Sequence, residues 1–93
     1  MKIIQTGVFS RTVRKLHKKE KAALDKAVRA IVEAPNIGDS KIGDLTGVTV
    51  YKYKDSDKQY LLAYRYDDKS KTLILLALGS HENFYRDLKR QIE

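Results

Sequence analysis

Cysteine is absent, so neither a disulfide framework nor a thiolate zinc site can be built from this chain. Histidine occurs only as His17 and His81, too few for a histidine-rich metal centre, and no tight acidic cluster suggests a magnesium site. No stretch approaches the ~20 apolar residues that a membrane-spanning helix needs. The opening MKIIQTGVFSRTVRKLHKK lacks the apolar centre and small-residue cleavage site of a signal peptide. Internal repeats and low-complexity segments are also missing. These absences set the expectation of a cytoplasmic protein with no metal, no cofactor and no membrane partner.

What is present suffices for one domain spanning residues 1–93, in which 42% hydrophobic residues supply a modest core. The net charge is +7 and its distribution is uneven. Arg11, Arg14, Lys15, Lys18, Lys19, Lys21, Lys26 and Arg29 face only two acids, Glu20 and Asp25, within 19 residues. Such a stretch attracts a polyanion or an acidic protein, although a charge run can also be no more than a solvated helical face.

Apolar periodicity divides the chain into elements. Lys2 to Thr6 reads as a short strand. Thr6 is placed to cap a helix from about Gly7 to His17, with Val8, Phe9, Val13 and Leu16 inward. A second helix from about Lys19 to Ala34 repeats Leu24, Ala27, Val28, Ile31 and Val32 at spacings of three and four, and Pro35 ends it. The segment NIGDSKIGDLTG carries three of the five glycines and reads as a loop, with Ile37, Ile42 and Leu45 as its anchors to the core. VTVYKYK, QYLLAYRY and TLILLALG then form an antiparallel meander.

Alternation puts Val48, Val50, Lys52 and Lys54 on one side of the first meander strand and Thr49, Tyr51 and Tyr53 on the other. In the second, Tyr60, Leu62, Tyr64 and Tyr66 alternate with Leu61, Ala63 and Arg65. Neither strand is cleanly amphipathic, so both sheet faces need a cover or a task. Tyrosines interleaved with cations suit RNA, whose bases stack on rings; they equally suit an ordinary strand with a charged edge. After Gly79, Ser80 can cap a last helix with His81, Glu82 and Asn83 in its first turn. Tyr85 and Lys89 follow His81 at helical spacing, while Phe84 and Leu88 form a separate apolar face. This last helix can carry chemistry on the first face, or be a plain packing helix with an exposed histidine.

The order of these pieces resembles one family. A short strand, a basic helical hairpin, a loop ending in DLTG, then YKYK, QYLLAYRY and LGSHENFY are similar to the RelE/ParE superfamily of small bacterial toxins over essentially the whole chain. The resemblance implies an α+β fold: a small antiparallel sheet, made of the N-terminal strand and the meander, packed with an N-terminal helical hairpin and a C-terminal helix. It implies a toxin neutralised by a cognate antitoxin. One branch cleaves mRNA on the ribosome without a metal and so inhibits translation; the ParE-like branch instead poisons DNA gyrase.

For the endoribonuclease branch, the resemblance assigns catalytic positions to Lys52, Lys54, Arg65, His81 and Tyr85. Ribosomal RNA would be gripped by Arg11, Arg14, Lys15, Lys18, Lys19, Lys21, Lys26 and Arg29. Metal-free RNA cleavage needs a base for the ribose 2′-OH, cations for the phosphorane-like transition state and an acid for the leaving 5′ oxygen. An imidazole, titrating near ~6.5, suits the acid or base role. The sequence departs from the family where Leu61 stands in place of a usual arginine, with Arg65 four residues on as the candidate substitute. Tyr85 also lies closer to Gly79 than the family tyrosine does, and the use of a histidine points towards the HigB and YafQ types.

Overall fold

The computed structural model describes residues 1–80 and 84–92. Its elements are β1 (Lys2–Gln5), α1 (Gly7–Arg14), α2 (Lys18–Glu33), β2 (Asp39–Ser40), a 3-10 turn (Gly43–Leu45), β3 (Thr49–Asp55), β4 (Lys58–Asp67), β5 (Thr72–Gly79) and α3 (Phe84–Ile92). The strands form one sheet in the order β1-β5-β4-β3-β2.

The α+β architecture follows the sequence reading, with differences in detail. β1 joins the edge of β5 in parallel, Ile3 beside Leu73 and Ile4 beside Ile74, so the sheet is mixed rather than wholly antiparallel. The α1–α2 hairpin supplies the crossover that lets an N-terminal strand run alongside the last one. A short β2 forms inside the segment read as a loop and covers only Thr49 and Val50 of β3. Of the three expected loop anchors, only Leu45 is buried; Ile37 and Ile42 are 46% and 89% exposed.

Helix boundaries have local causes. Thr6 accepts a hydrogen bond from the Phe9 N–H at 3.1 Å, capping α1 as its residue type predicts. α1 stops at Arg14 instead of reaching His17. The N–H groups of Lys15 and Leu16 close onto Thr12 and Val13, three residues back, and His17 is extended at φ −72°, ψ 162°. His17 then begins α2, its N–H donating to Glu20 Oε1 at 2.9 Å.

The sheet separates two cores. Against the hairpin, Phe9, Leu24, Ala27 and Ile31 meet Tyr60, Leu62, Tyr64, Leu73, Leu75 and Leu78. Against α3, Phe84 and Leu88 meet Leu45, Val48, Val50, Leu61, Ala63 and Ala77. Alternation in β3 and β4 is as expected. In β5 the step from Leu75 to Leu78 breaks it, because the register slips between Ala63 and Tyr64 and leaves Leu76 unpaired. The bulge has a use: the Leu76 carbonyl accepts from Thr6 Oγ1 at 2.9 Å, tying the start of α1 to the far strand.

Two glycines permit close approach. A Cβ on Gly79 would run into the Phe84 ring, so the missing side chain is the notch that seats α3. A Cβ on Gly38 would lie 2.7 Å from the Val50 carbonyl oxygen, in the β2–β3 junction.

Candidate functional site

The YKYK strand divides its residues by chemistry. Tyr51 and Tyr53 turn under the hairpin, half-buried, while Lys52 and Lys54 turn to the α3 face and are exposed. Lys52 pairs across the strands with Leu61, and Leu61 with Gly79, so one row of the sheet holds a lysine, a buried leucine and the notch under Phe84. The row spans about 10 Å at the usual spacing between strands. Lys54 lies opposite Gln59 on the same face, nearer the β3–β4 turn. Neither lysine has a carboxylate partner among the described residues.

The tyrosines are fasteners. Tyr51 and Tyr53 stack with centroids 6.2 Å apart, and Tyr53 and Tyr60 at 5.4 Å. The Tyr60 hydroxyl donates to Glu20 Oε2 at 2.5 Å, in the first turn of α2. The Tyr64 hydroxyl donates to the Pro35 carbonyl at 2.6 Å, just past the other end of that helix. Two phenols four residues apart on β4 thus hold both ends of α2. The bond to Glu20, with burial, pushes the Tyr60 hydroxyl up to about 12, and burial raises Tyr53 and Tyr64 above the ordinary phenol range. The same bond, with the His17 N–H, holds Glu20 below the usual carboxylate range. These hydroxyls stay protonated at neutral pH. The expectation that the strand tyrosines serve base stacking is not met by Tyr60 and Tyr64, which are enclosed; Tyr51 and Tyr53 show only part of their rings.

The remaining candidates are dispersed. Arg65 shares the α3 face but stands four residues beyond Leu61, about 13 Å along the strand. Its guanidinium lies beside Gly47, Nη1 being 3.6 Å from where a Cβ would stand. The structure therefore does not bring Arg65 to the lysine pair, and Leu61 keeps the intervening position apolar. Tyr85, partly buried on α3, meets Phe84 edge-on with centroids 5.5 Å apart. The Lys41 ammonium sits over its ring at 5.1 Å. Lys89 is 3.5 Å from Asp44, so the loop after β2 holds α3 from two sides. His81, with Glu82 and Asn83 and the helix start expected at Ser80, lies outside the described residues.

Arg11, Arg14, Lys15, Lys18, Lys19, Lys21, Lys26 and Arg29 are all exposed. They belong to the hairpin side of the sheet, opposite Lys52 and Lys54. Lys19 of the hairpin reaches Ser56 in the β3–β4 turn at 2.8 Å, and the two basic surfaces meet around the outer edge of β3. There a shallow groove of about 140 Å³ is lined by Ala23, Lys26, Ala27, Tyr51, Tyr53 and Lys54. A larger depression, about 530 Å³, is remote from the lysines, between Asn36, Gly47, Tyr66 and Lys71. Among the described residues no three His, Asp or Glu side chains converge to hold a metal ion, and no helix is long and apolar enough to cross a membrane.

Sequence reasoning missed Lys41 and the Glu20 to Tyr60 contact. Glu20 had a signal, standing three residues after the helix start as a capping acid does. Lys41 had none, because its meeting with Tyr85 depends on how α3 folds back.

Known structures share this fold. A mutant of the Escherichia coli toxin RelE in the free state superposes with a TM-score of 0.75 at 20% identity, covering 99% of this chain and 97% of that one. The toxin–antitoxin complex RelBE2 from Mycobacterium tuberculosis gives 0.73 at 23% identity over 86% and 96%. A YoeB/ParE toxin from Agrobacterium tumefaciens gives 0.71 at 15% identity over 88% and 100%. At such identities the likeness carries the fold. No curated protein matches the sequence. The model of one family, ParE-like toxin of type II bacterial toxin-antitoxin system, matches residues 3–89. With that match running from β1 into α3, the chain belongs to the ParE-like toxins of type II bacterial toxin–antitoxin systems.

Proposed function

We propose that this toxin is a ribosome-dependent, metal-independent mRNA endonuclease that inhibits translation, held in check by a cognate antitoxin. The observation that carries the reading is the exposure of Lys52 and Lys54 on one sheet face, with no carboxylate partner among the described residues, while the alternating Tyr51 and Tyr53 are spent on the core. Two ammonium groups about 7 Å apart along a strand can flank one phosphate and stabilise the charge that develops on its oxygens. One of the pair can take the 2′-OH proton once RNA covers it and removes water. His81, two residues beyond Gly79 in sequence, is assigned the proton transfer to the leaving 5′ oxygen. Arg65 is assigned to a phosphate further along the bound strand, and Tyr85 to orienting the nucleotide. The exposed hairpin cations are assigned to ribosomal RNA.

A second reading is favoured by Leu61. It is 9% exposed and fills the row between Lys52 and Gly79 where a nuclease would profit from another cation. A gyrase inhibitor without nuclease activity has no such need.

Primer extension on an mRNA in a reconstituted translation reaction separates the two. Cuts confined to the ribosomal A site and lost in His81→Gln are expected. Intact mRNA, together with inhibition of gyrase supercoiling, would sink the nuclease reading.

A further inference from the structure

A groove of a different kind lies on the hairpin side of the sheet, at the end where β5 stops. β4 outruns β5: Leu61 pairs with Gly79, so Lys58, Gln59 and Tyr60 extend past the end of the last strand. The corner between α1 and α2 leans over this overhang and encloses about 230 Å³ between Leu16, Glu20, Lys58, Tyr60, Leu78 and Ser80. Lys19 ties the two walls together, its ammonium donating to Ser56 in the β3–β4 turn at 2.8 Å.

The groove has an apolar floor and a polar rim. Leu78 and the Tyr60 ring are buried and Leu16 is half-buried, so a flat ring laid on them is shielded from water. At the rim stand an anion and a cation, Glu20 and Lys58, and no ion pair joins them among the described residues. Glu20 is only partly engaged. Its Oε1 accepts from the His17 N–H and its Oε2 from the Tyr60 hydroxyl. A carboxylate has about four lone-pair sites, so each oxygen keeps one for a further donor. The same two bonds hold the group ionised at neutral pH.

Two adjacent acceptors, a donor nearby and an apolar floor define what fits. A guanidinium has the two parallel N–H donors but brings a positive charge that Lys58 repels, on a chain already at +7. Guanine is neutral and flat, and one edge carries the O6 acceptor beside the N1–H and N2–H₂ donors. Adenine and cytosine present an acceptor next to one donor, and uracil a donor between two acceptors. Each of these three turns a lone pair against the carboxylate.

We propose that this groove binds an unpaired guanine base, with Glu20 accepting from N1–H and N2–H₂, Lys58 donating to O6 and the ring lying on Leu16, Tyr60 and Leu78. The site is separate from the lysine pair, which lies on the other sheet face, and stands whether or not that pair cleaves RNA. The base belongs either to a free guanine nucleotide or to a single RNA strand. On a strand, the exposed Lys15 and Lys18 at the same corner serve the neighbouring phosphates.

Titration of the ¹⁵N-labelled full chain with GMP, AMP, CMP and UMP tests the proposal. GMP is expected to shift the amides of Leu16, Glu20, Tyr60 and Ser80 and to bind at least about tenfold tighter than the other three, the selectivity of one bidentate contact. No binding at millimolar GMP, equal binding of the four nucleotides, or shifts confined to the α3 face overturns it. Glu20→Gln keeps an oxygen for the His17 N–H and turns its amide N–H₂ to the Tyr60 oxygen, so the helix start survives. Its open side then holds one acceptor and one donor, the pattern that adenine matches. GMP should lose about tenfold or more and AMP should overtake it; a variant that still prefers GMP contradicts the assignment. Lys58→Ala changes an exposed side chain and should cut the preference for GMP over AMP about tenfold. An unchanged preference there also contradicts it. The pentanucleotides UUGUU and UUAUU repeat the comparison on a strand. Guanine-selective binding tighter than that of GMP assigns the base to RNA, and guanine-selective binding no tighter than that of GMP assigns it to the free nucleotide.

Discussion

The two faces of the sheet are built from the same strands and have opposite characters. On the hairpin face, tyrosines from β3 and β4 close over an apolar core and bind both ends of α2 through Glu20 and Pro35. On the other face, α3 covers the middle of the sheet through Phe84 and Leu88 but leaves Lys52 and Lys54 in solvent. One strand thus serves structure with its odd positions and leaves the lysines at its even ones in solvent, where the proposed chemistry is assigned. A dipeptide repeat that suggests an RNA surface in sequence becomes, in three dimensions, a fastened face and an open basic one.

That contrast is sharpened first by removing the lysines. Lys52→Ala with Lys54→Ala should cut mRNA cleavage by about 10² to 10⁴, the range for lost electrostatic and proton-transfer groups, with the melting temperature unchanged. A comparable fall in melting temperature would return the lysines to structure. The next largest effect falls on stability. Phe84→Ala removes a ring that is 5% exposed and should cost about 3–5 kcal/mol in urea unfolding, the usual range for a buried phenylalanine. Gly79→Ala should cost about 1–3 kcal/mol through overpacking against that same ring. It should also lower kcat more than it raises KM, because α3 begins at the displaced ring.

Smaller effects belong to the fastened face. Tyr64→Phe removes two neutral hydrogen bonds, the one donated to the Pro35 carbonyl and the one accepted from the Gly38 N–H, and should cost about 1–3 kcal/mol while cleavage persists. Tyr60→Phe should reshape the pH profile of stability. The raised Tyr60 hydroxyl contributes stability below pH 10 that is lost as pH rises towards about 12. The lowered Glu20 carboxyl contributes stability above about 4.5, lost as pH falls through its folded value. Both limbs should flatten in Tyr60→Phe when unfolding is followed across pH. Least of all, Asp68→Asn at the exposed pair with Lys71 should leave the urea midpoint of unfolding unchanged.

Much of this was legible in the chain. The cap at Thr6, the stop at Pro35, the alternation of YKYK and the apolar pair Phe84 and Leu88 depend on neighbours within a few residues, and sequence carries such information directly. What was not legible depends on distant partners. The parallel docking of β1 beside β5 joins Ile3 to Leu73. The bulge at Leu76 changes which leucines of β5 face the hairpin and takes its bond from Thr6, 70 residues away. Ile42 looked like an anchor because it is apolar, yet the 3-10 turn that follows turns Leu45 inward and leaves Ile42 outside. For the site, the lysine pair was readable from strand parity, while the separation of Arg65 from it was not: being on one face does not put two residues at one level.

The most direct test of the division between faces is a side-by-side measurement of mRNA cleavage by primer extension in reconstituted translation. One variant carries Lys52→Ala and Lys54→Ala, and the other Tyr51→Phe and Tyr53→Phe. The division predicts that the lysine variant loses cleavage by about 10² or more, whereas the tyrosine variant cuts at the same codons at close to the native rate. A folded tyrosine variant that loses as much cleavage as the lysine variant would contradict it.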